Sequence, residues 1–513
     1  MIDYCNFFIK EVQLLGEKQR EEPMFYYVKM EDIVPENHLL RLVDKHIDLS
    51  FIKDKVKHLY SHTGRPSIDP EVLLRMLLIG YLYGITSERR LCEEVKMHIG
   101  YRWFIGLSLE DKVPDHSTFS KNRHERFSEN DVFQKIFDEI VMQCIKKGLL
   151  TGNHLTVDST YIKADASFKS LEPIVVDMNS KEYIETLEKD NSIEDKQEDK
   201  PWEPGEDYPH RGQKISNKTH RSKTDPDARI ARKSFQAATN LYHAATYIMD
   251  NGSRVIIGAD VGRPDLRTDS EKALEQIRKI KWKYKIRPDS LGADKGYATG
   301  EFINNLINED IQPHIPILDY QRHNHKGIYG REEFKYDKIR DIFICPEGKE
   351  LRYWGIHRRS RQHVYRARTK DCKICQKKED CTKDKARSVG YHIYEASINK
   401  ARQLNKTKEY RISQRMRKRI EELFGEAKEF MGMRKAKFRM LKFVKEQILM
   451  TAAAQNIKRM VKLLTKMRPE GAALAVQRSA ELFFLGGLFE ILILSFQNIN
   501  RRQLRHKNCF TKT

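Results

Sequence analysis

A chain of 513 residues, 39% of them hydrophobic, has enough apolar material for two or three packed domains, which excludes a wholly disordered product. Its 94 Lys and Arg against 73 Asp and Glu leave a formal charge of +21, which favours a polyanionic partner, nucleic acid being the commonest. The first residues lack a secretory pattern, and the longest apolar run, Leu482 to Phe496, contains Glu490 and is short for a bilayer, so a cytoplasmic protein is expected.

Residues 1–150 read as a helical domain. Asp69 can cap and Pro70 can begin a helix whose apolar positions Val72, Leu73, Met76, Leu77 and Tyr81 recur at helical spacing until Gly84 stops it. A second helix is predicted from Ser87 to His98. In VPDHSTFSKNRHERF, Asp115 or Ser117 can cap a short helix carrying Lys121, Arg123, His124 and Arg126. A capped basic helix behind two apolar ones suits a DNA-docking bundle, and equally a plain helical domain with a solvated basic face.

The pattern changes at His154. HLTVDSTYI alternates like a strand, with Asp158 at its middle. Residues 171–233 hold a charged tract poor in apolar side chains and read as a flexible insertion. Two strand-like runs, Leu241 to Met249 and Arg254 to Ala259, meet at Asp250, Asn251 and Gly252 and predict a hairpin. A helix from Ser270 to Tyr284 leads into DSLGADKGYATG, where a strand would end at Asp294 with Gly296 and Gly300 allowing a tight exit into the helix Glu301 to Ile307. IQPHIPI suits a further strand. This alternation breaks off near Tyr320 and resumes in residues 406–466 with two helices.

On the first of those helices, within Gln414 to Lys437, successive residues turn by roughly 100°. Gln414, Arg417, Glu421, Gly425 and Lys428 then share one narrow stripe, beside an apolar stripe of Ile420, Leu423, Phe424, Ala427 and Met431 that would seat the helix on a core. Gly425 is expected to let another backbone come close.

Asp158, Asp294 and Glu421 can converge at one edge of a mixed sheet. Three packed carboxylates repel and their pKa values rise unless cations neutralise them, so the cluster suits two Mg²⁺ or Mn²⁺ ions. Such a pair activates a water or a 3′-hydroxyl for in-line attack on a phosphodiester. Arg417 and Lys428 would hold phosphates. Asp260 and Asp269 are alternatives to Asp294, which is favoured by its strand-Asp-Lys-Gly context; Glu422 and Glu426 are alternatives to Glu421, which is favoured by the stripe.

VDSTYIKADAS, ADKGY and RKRIEELFGEAK resemble the three signature segments of DDE transposases from bacterial insertion sequences, closest to the eleven-eighty-two family of the four/five assemblage. GRPSIDPEVLLRMLLIGYLYGITSERRLCEEV through VPDHSTFSK is similar to the helical domain those enzymes carry before an RNase H-like core, and the likeness runs from about Val34 to Leu464. The resemblance implies Asp158, Asp294 and Glu421 as the metal-binding triad. It also implies a Tyr, Arg, Glu, Lys signature that handles the DNA end, matched by Arg417, Glu421 and Lys428, with Gln414 where the tyrosine is expected.

Residues 321–405 read as an insertion in that core. Cys345 in CPEGKEL and Cys372, Cys375 and Cys381 in CKICQKKEDC suit a tetrahedral Cys₄ zinc site, unligated thiols being the alternative. RYWGIHRRSRQHVYRARTK mixes cations with Tyr353, Trp354 and Tyr365, a composition that suits a DNA-gripping surface, although Trp354 also suits a core position. Residues 467–513 have no reading beyond packing or dimer contacts. The expected protein is therefore α+β: a helical DNA-binding domain, then an RNase H-like mixed-sheet core interrupted by a Cys-rich insertion. Its expected work is to bind double-stranded DNA at terminal inverted repeats, as a homodimer or larger, and to cut and join it. The other readings are a sequence-tolerant nuclease and a catalytically dead DNA-binding protein.

Overall fold

The computed structural model describes residues 29–466 except 62, 64–66, 128–130, 175–214, 234–235, 265, 318–327 and 359. Its first part is helical: α1 (Met30–Ile33), α2 (Leu39–His46), α3 (Phe51–Val56), α4 (Pro70–Tyr83), α5 (Glu88–Met97), α6 (Ile99–Ile105), α7 (His116–Asn122) and α8 (Val132–Lys146). The caps are those the residue types predict. Asp69 accepts the Glu71 N–H at 2.8 Å, and Gly84 closes α4 at φ 70°. Ser87 caps α5 and Asp115, not Ser117, caps α7. After α7 the chain passes into a π-helical turn, Arg123–Phe127.

The main sheet is built on β1 (His154–Lys163). On one side β5 (Asn240–Asp250) runs antiparallel to it, with β6 (Ile256–Gly262) antiparallel beyond. On the other side lie β7 (Ser290–Gly292) and β8 (Gln312–His314), both parallel. Asp250 holds the expected hairpin turn by accepting the Ser253 and Gly152 N–H groups at 2.8 and 3.0 Å. Helix α9 (Leu266–Tyr284) links β6 to β7, and α10 (Gly300–Asn308) links β7 to β8.

The expected flexible insertion 171–233 is corrected at both ends. Strands β2 (Leu171–Pro173) and β3 (His220–Ser222) pair with one another, and β4 (Arg229–Ala231) pairs with β5. A small apolar cluster of Leu171, Ala228 and Leu241, with Ile215 and Ile230 against it, and side-chain hydrogen bonds hold this low-hydrophobicity stretch: Asn217 brackets Ile230, and buried Asp225 accepts from His243 Nε2 at 2.9 Å. The acidic stretch 175–214 lies outside the described residues.

A second, five-stranded antiparallel sheet, its strands neighbours in chain order, stands on its own small core of Phe334, Phe343, Leu351, Tyr365, Ala367 and Val389. Its strands are β9 (Lys335–Asp337), β10 (Ile342–Ile344), β11 (Glu350–His357), β12 (Gln362–Ala367) and β13 (Ser388–His392), with two short cysteine-bearing helices, α11 (Thr369–Lys373) and α12 (Lys378–Cys381). The expected boundary at residue 405 moves back to about His392. Helix α13 (Glu395–Leu404) packs on α10 and β8 and buries Ala401 in the main core.

Helix α14 (Lys408–Phe430) begins at a Thr407 cap and ends at Phe430, short of Lys437. Ile420, Leu423, Phe424, Ala427 and Met431 are all buried, as their stripe predicts. Helix α15 (Leu441–Lys466) is buried at nearly every position from Phe443 to Val461, including the polar Glu446, Gln447, Gln455 and Asn456, so neighbours cover it on most faces. It packs on α2, α4 and α8 as well as on β6 and α14. Among the described residues, the helical region and the main sheet therefore share one hydrophobic core. No described helix is long and apolar enough to cross a membrane.

Candidate active site

Asp158 sits mid-strand on β1, paired in register with Tyr247 of β5, and its Oδ1 accepts the Ser159 N–H at 2.8 Å. Asp294 lies two residues past the end of β7 and caps the short helical turn Lys295–Tyr297, its Oδ1 accepting the Gly296 N–H at 2.9 Å. A Cβ at position 296 would come to 3.0 Å from that carboxylate oxygen, which is why glycine serves there. Tyr297 ties the turn to the strand: Ser159 Oγ is 2.7 Å from both the Tyr297 hydroxyl and Thr246 Oγ1.

Glu421 approaches from α14 and is half exposed, its side chain 53% accessible. Between it and Asp158 stands Arg417, with Nη2 3.0 Å from Glu421 and Nη1 3.6 Å from Asp158. Burial pushes the Asp158 carboxyl up to about 6, and the charges of Asp294 and Glu421 push the same way. The Ser159 N–H and Arg417 pull against them. Asp294 and Glu421 thus both lie near enough to Asp158 to act on its charge. Among the described residues, however, no three His, Cys, Asp or Glu side chains stand in an arrangement that could hold a metal ion. Arg417 occupies the cationic position instead.

A cleft of about 370 Å³ opens beside Asp158 and Asp294 and is lined also by Asp269, Arg232, Lys233 and Tyr297. Asp269 joins Asp294 there rather than replacing it, while Asp260, on β6, is not part of the lining. Glu422 pairs with Arg254 at 2.8 Å, and Glu426 accepts from Gln455 at 3.0 Å, so both alternatives to Glu421 are engaged elsewhere.

Three expectations on the helix stripe and its surroundings change. Gln414, expected to touch DNA, instead donates from Nε2 to the carbonyls of His314 at 2.6 Å and Ala293 at 3.3 Å. It joins the ends of β7 and β8 to α14, because a primary amide can bridge two carbonyls where a carboxylate cannot. Gly425 admits no neighbouring backbone; a Cβ there would meet nothing within 4 Å. Arg123, expected on a DNA-docking surface, is only 5% exposed. It pairs with buried Glu446 at 3.0 Å and with Glu88, because the π-helical turn rotates it inward.

Lys428 remains beside Asp158 and donates to Thr160 Oγ1. Burial lowers its pKa, and the charges of Lys233 and Arg434 lower it further. Lys121 is exposed. Trp354 is 72% exposed under the Arg366 guanidinium, 5.2 Å from the ring centroid, so the core alternative for it falls. Cys345, Cys372 and Cys381 pack against the small second core, and the Lys349 N–H donates to Cys345 Sγ at 3.2 Å in a turn closed by Gly348 at φ 72°. The charges of the other three cysteines all act on Cys381.

Residues 28–125 match a family model described as a transposase domain (DUF772), and residues 344–461 match one described as a transposase DDE domain. Two transposase domain matches meet in one chain. The second match takes in the four cysteines, Arg417, Glu421 and Lys428, whereas Asp158 and Asp294 precede it. No curated protein matches the chain. Among solved structures, that of a piggyBac transposase synaptic complex with hairpin DNA overlaps 86% of this chain and 78% of its own, at 9% identity and a TM-score of 0.29. A Mos1 transposase paired-end complex with the left transposon end overlaps 52% and 63%, at 10% identity and a TM-score of 0.15. Overlaps that loose do not establish a shared fold.

The sequence alone pointed neither to Arg232 and Lys233, which fall in the tract read as flexible, nor to Tyr297 and Ser159. Behind the site it also missed a buried group of His154, His314 and Ser413. Burial holds His154 down to about 4, and Gly292 is needed because a Cβ would meet Ser413 Oγ at 2.9 Å.

Proposed function

We propose that this chain is a DDE transposase acting in the cytoplasm, which binds the terminal inverted repeats of an insertion sequence, cleaves at the ends and transfers the freed strands to target DNA. The observation that carries this reading is Arg417 set between Asp158 and Glu421, at 3.6 and 3.0 Å, with Asp294 on the same cleft as Asp158, in a chain with two transposase domain matches. A mixed sheet with one carboxylate on its central strand, one just past the neighbouring strand and one on a covering helix supports the RNase H-like assignment.

The donor types suit divalent cations, being oxygen-only carboxylates of which Asp158 has its proton affinity raised by burial and by the charges of the other two, although the three do not stand together as a ligand set in the free protein. Asp158, Asp294 and Glu421 would hold Mg²⁺ or Mn²⁺. Two such ions, when bound, would supply the activation of a water or 3′-hydroxyl and the charge for the leaving oxygen of an in-line displacement. The chain's own groups do the rest. Ser159 and Gly296 orient the two aspartates through their N–H groups, and Tyr297 holds the Asp294 turn against β1. Arg417 balances the carboxylates in the free protein and can turn to a phosphate when they take metal. Lys428 presents a charge held half out of water, which strengthens its pull on a phosphodiester. Pairing two DNA ends calls for at least two copies of the chain. Residue type, spacing and the hydrogen bond from the Lys349 N–H to Cys345 Sγ support a structural zinc on the four cysteines, which would have to draw together because no three of them stand as a ligand set in the free protein.

The test is cleavage and joining of a labelled duplex carrying the flanking terminal repeat in Mg²⁺, by the native chain, Asp158→Asn and Glu421→Gln. Metal-dependent cutting at the repeat boundary, lost in both variants by about a thousandfold or more, is the expected result. Cutting without end preference or joining points to the nuclease reading. Tight repeat binding with no cutting in Mg²⁺ or Mn²⁺ points to a dead, binding-only protein.

A further inference from the structure

The carboxylate cleft has a second, opposite chemistry in its lining. Arg232 and Lys233 open onto the same space as Asp158 and Asp294. Lys428 reaches it from α14 by donating to Thr160 Oγ1, another lining residue. We infer that Lys233, with Arg232 and Lys428, forms a site for a DNA backbone phosphate beside the carboxylates, and that the segment from residue 215 to 233 is the arm that presents it. What the neighbouring carboxylates do to that DNA rests on the transposase reading.

Three observations support the site. The arm is held although its composition is that of a loose loop. Strand β4 pairs with β5, with Arg229 opposite Tyr242. Asp225, fully buried, bonds both His243 of β5 and the Met440 N–H just before α15, at 2.9 and 3.2 Å. The basic pair is then aimed by its neighbours: Arg232 Nε donates to Thr239 Oγ1 at 3.1 Å, and Lys233 Nζ lies 5.5 Å from the Tyr242 ring centroid.

The third observation is electrostatic. Lys233, Lys428 and Arg434 are close enough for the first and last to disfavour the charge on Lys428, which is already half withdrawn from water. Clustered like charges cost free energy in the free protein. An anion seated among them offsets that cost, and the anion that belongs next to a set of phosphodiester-processing carboxylates is a backbone phosphate.

The experiment is fluorescence anisotropy of the native full-length chain with a labelled mixed-sequence duplex in EDTA, measured across a salt series. Lys233→Ala should weaken binding by about tenfold and flatten the slope of log affinity against log salt by about 0.9, because one phosphate fewer is neutralised. Lys233→Arg should restore most of both. Lys279→Ala, on the exposed face of α9, should leave them as in the native chain. Because Lys233 is exposed, its replacement leaves the core intact, and matching thermal midpoints verify that. Unchanged slope and affinity in Lys233→Ala overturn the phosphate site. A flattened slope in Lys233→Ala, in a protein that never cuts DNA in Mg²⁺, upholds the phosphate site and sinks the transposase reading instead.

Discussion

At Asp158 a charge sits where the surroundings resist it. Its folded pKa is raised from 3.8 to about 6, so its contribution to stability is fully present below about pH 3.8 and is lost as pH rises through 6. Asp158→Asn keeps the acceptor for the Ser159 N–H and removes the charge. In metal-free buffer it should therefore stabilise the chain at pH 8, by up to about 3 kcal/mol, and give no gain near pH 4. Thermal melts across that range measure it, and equal midpoints at pH 8 would refute it. Gln414 shows a different kind of residue-scale control. Gln414→Ala leaves the His314 and Ala293 carbonyls without their shared donor and should cost about 1–3 kcal/mol in urea unfolding. Because Ala293 immediately precedes Asp294, the same variant should slow single-turnover cleavage while leaving duplex affinity near native. An unaltered cleavage rate would show that Gln414 only supports the fold. Spacing could place Gln414 on the stripe with Glu421, but the carbonyls it meets lie 100 and 121 residues upstream, which no local pattern discloses.

Individual elements follow local rules closely wherever the reason for them is local. Asp69, Pro70 and Gly84 delimit α4 because a cap, a fixed φ and a left-handed exit are properties of those residues themselves. Gly84 has a further duty that its position in the sequence hides: a Cβ there would run into the Phe430 carbonyl at 2.2 Å, where α14 ends against the helical region. The second sheet is the element whose chemistry is most open. Its core is six residues, Phe334, Phe343, Leu351, Tyr365, Ala367 and Val389, and so small a core gains greatly from a staple. If the cysteines beside it take zinc, metal analysis of the purified chain should find about one ion per molecule, absent from a Cys372→Ser and Cys375→Ser double variant. Zinc at equal levels in both proteins would remove the assignment.

The whole molecule is joined where the sequence suggests a boundary. Helix α15 takes the helical region on some faces and β6 and α14 on others, and the Arg123 and Glu446 pair sits at that junction, with Lys437 beside it, its pKa depressed by burial to about 8. Removing one partner of a buried ion pair strands the other. Arg123→Met should thus cost about 3–5 kcal/mol, and adding Glu446→Leu should recover much of the loss. Both are read by chemical denaturation, where a single transition is expected because the core is shared. Two separated transitions would show independent domains.

What the sequence by itself determined was set by local chemistry and periodicity. Helix caps, the β1 pattern around Asp158, the turn at Asp294 and the buried stripe of α14 depend on neighbours within a few residues, and so do the signature segments that imply the triad. Tertiary structure alone decided the rest, because those outcomes depend on which distant groups meet. It turned Arg123 into the core, gave Gln414 two backbone carbonyls, set Arg417 between Asp158 and Glu421, and merged the helical region with the sheet through α15. It also anchored the stretch from residue 215 to 233 through Asp225, His243 and Asn217, carrying Arg232 and Lys233 to the carboxylate cleft. Composition made that stretch look loose, since hydrogen bonds to partners far along the chain leave no mark on hydrophobic pattern.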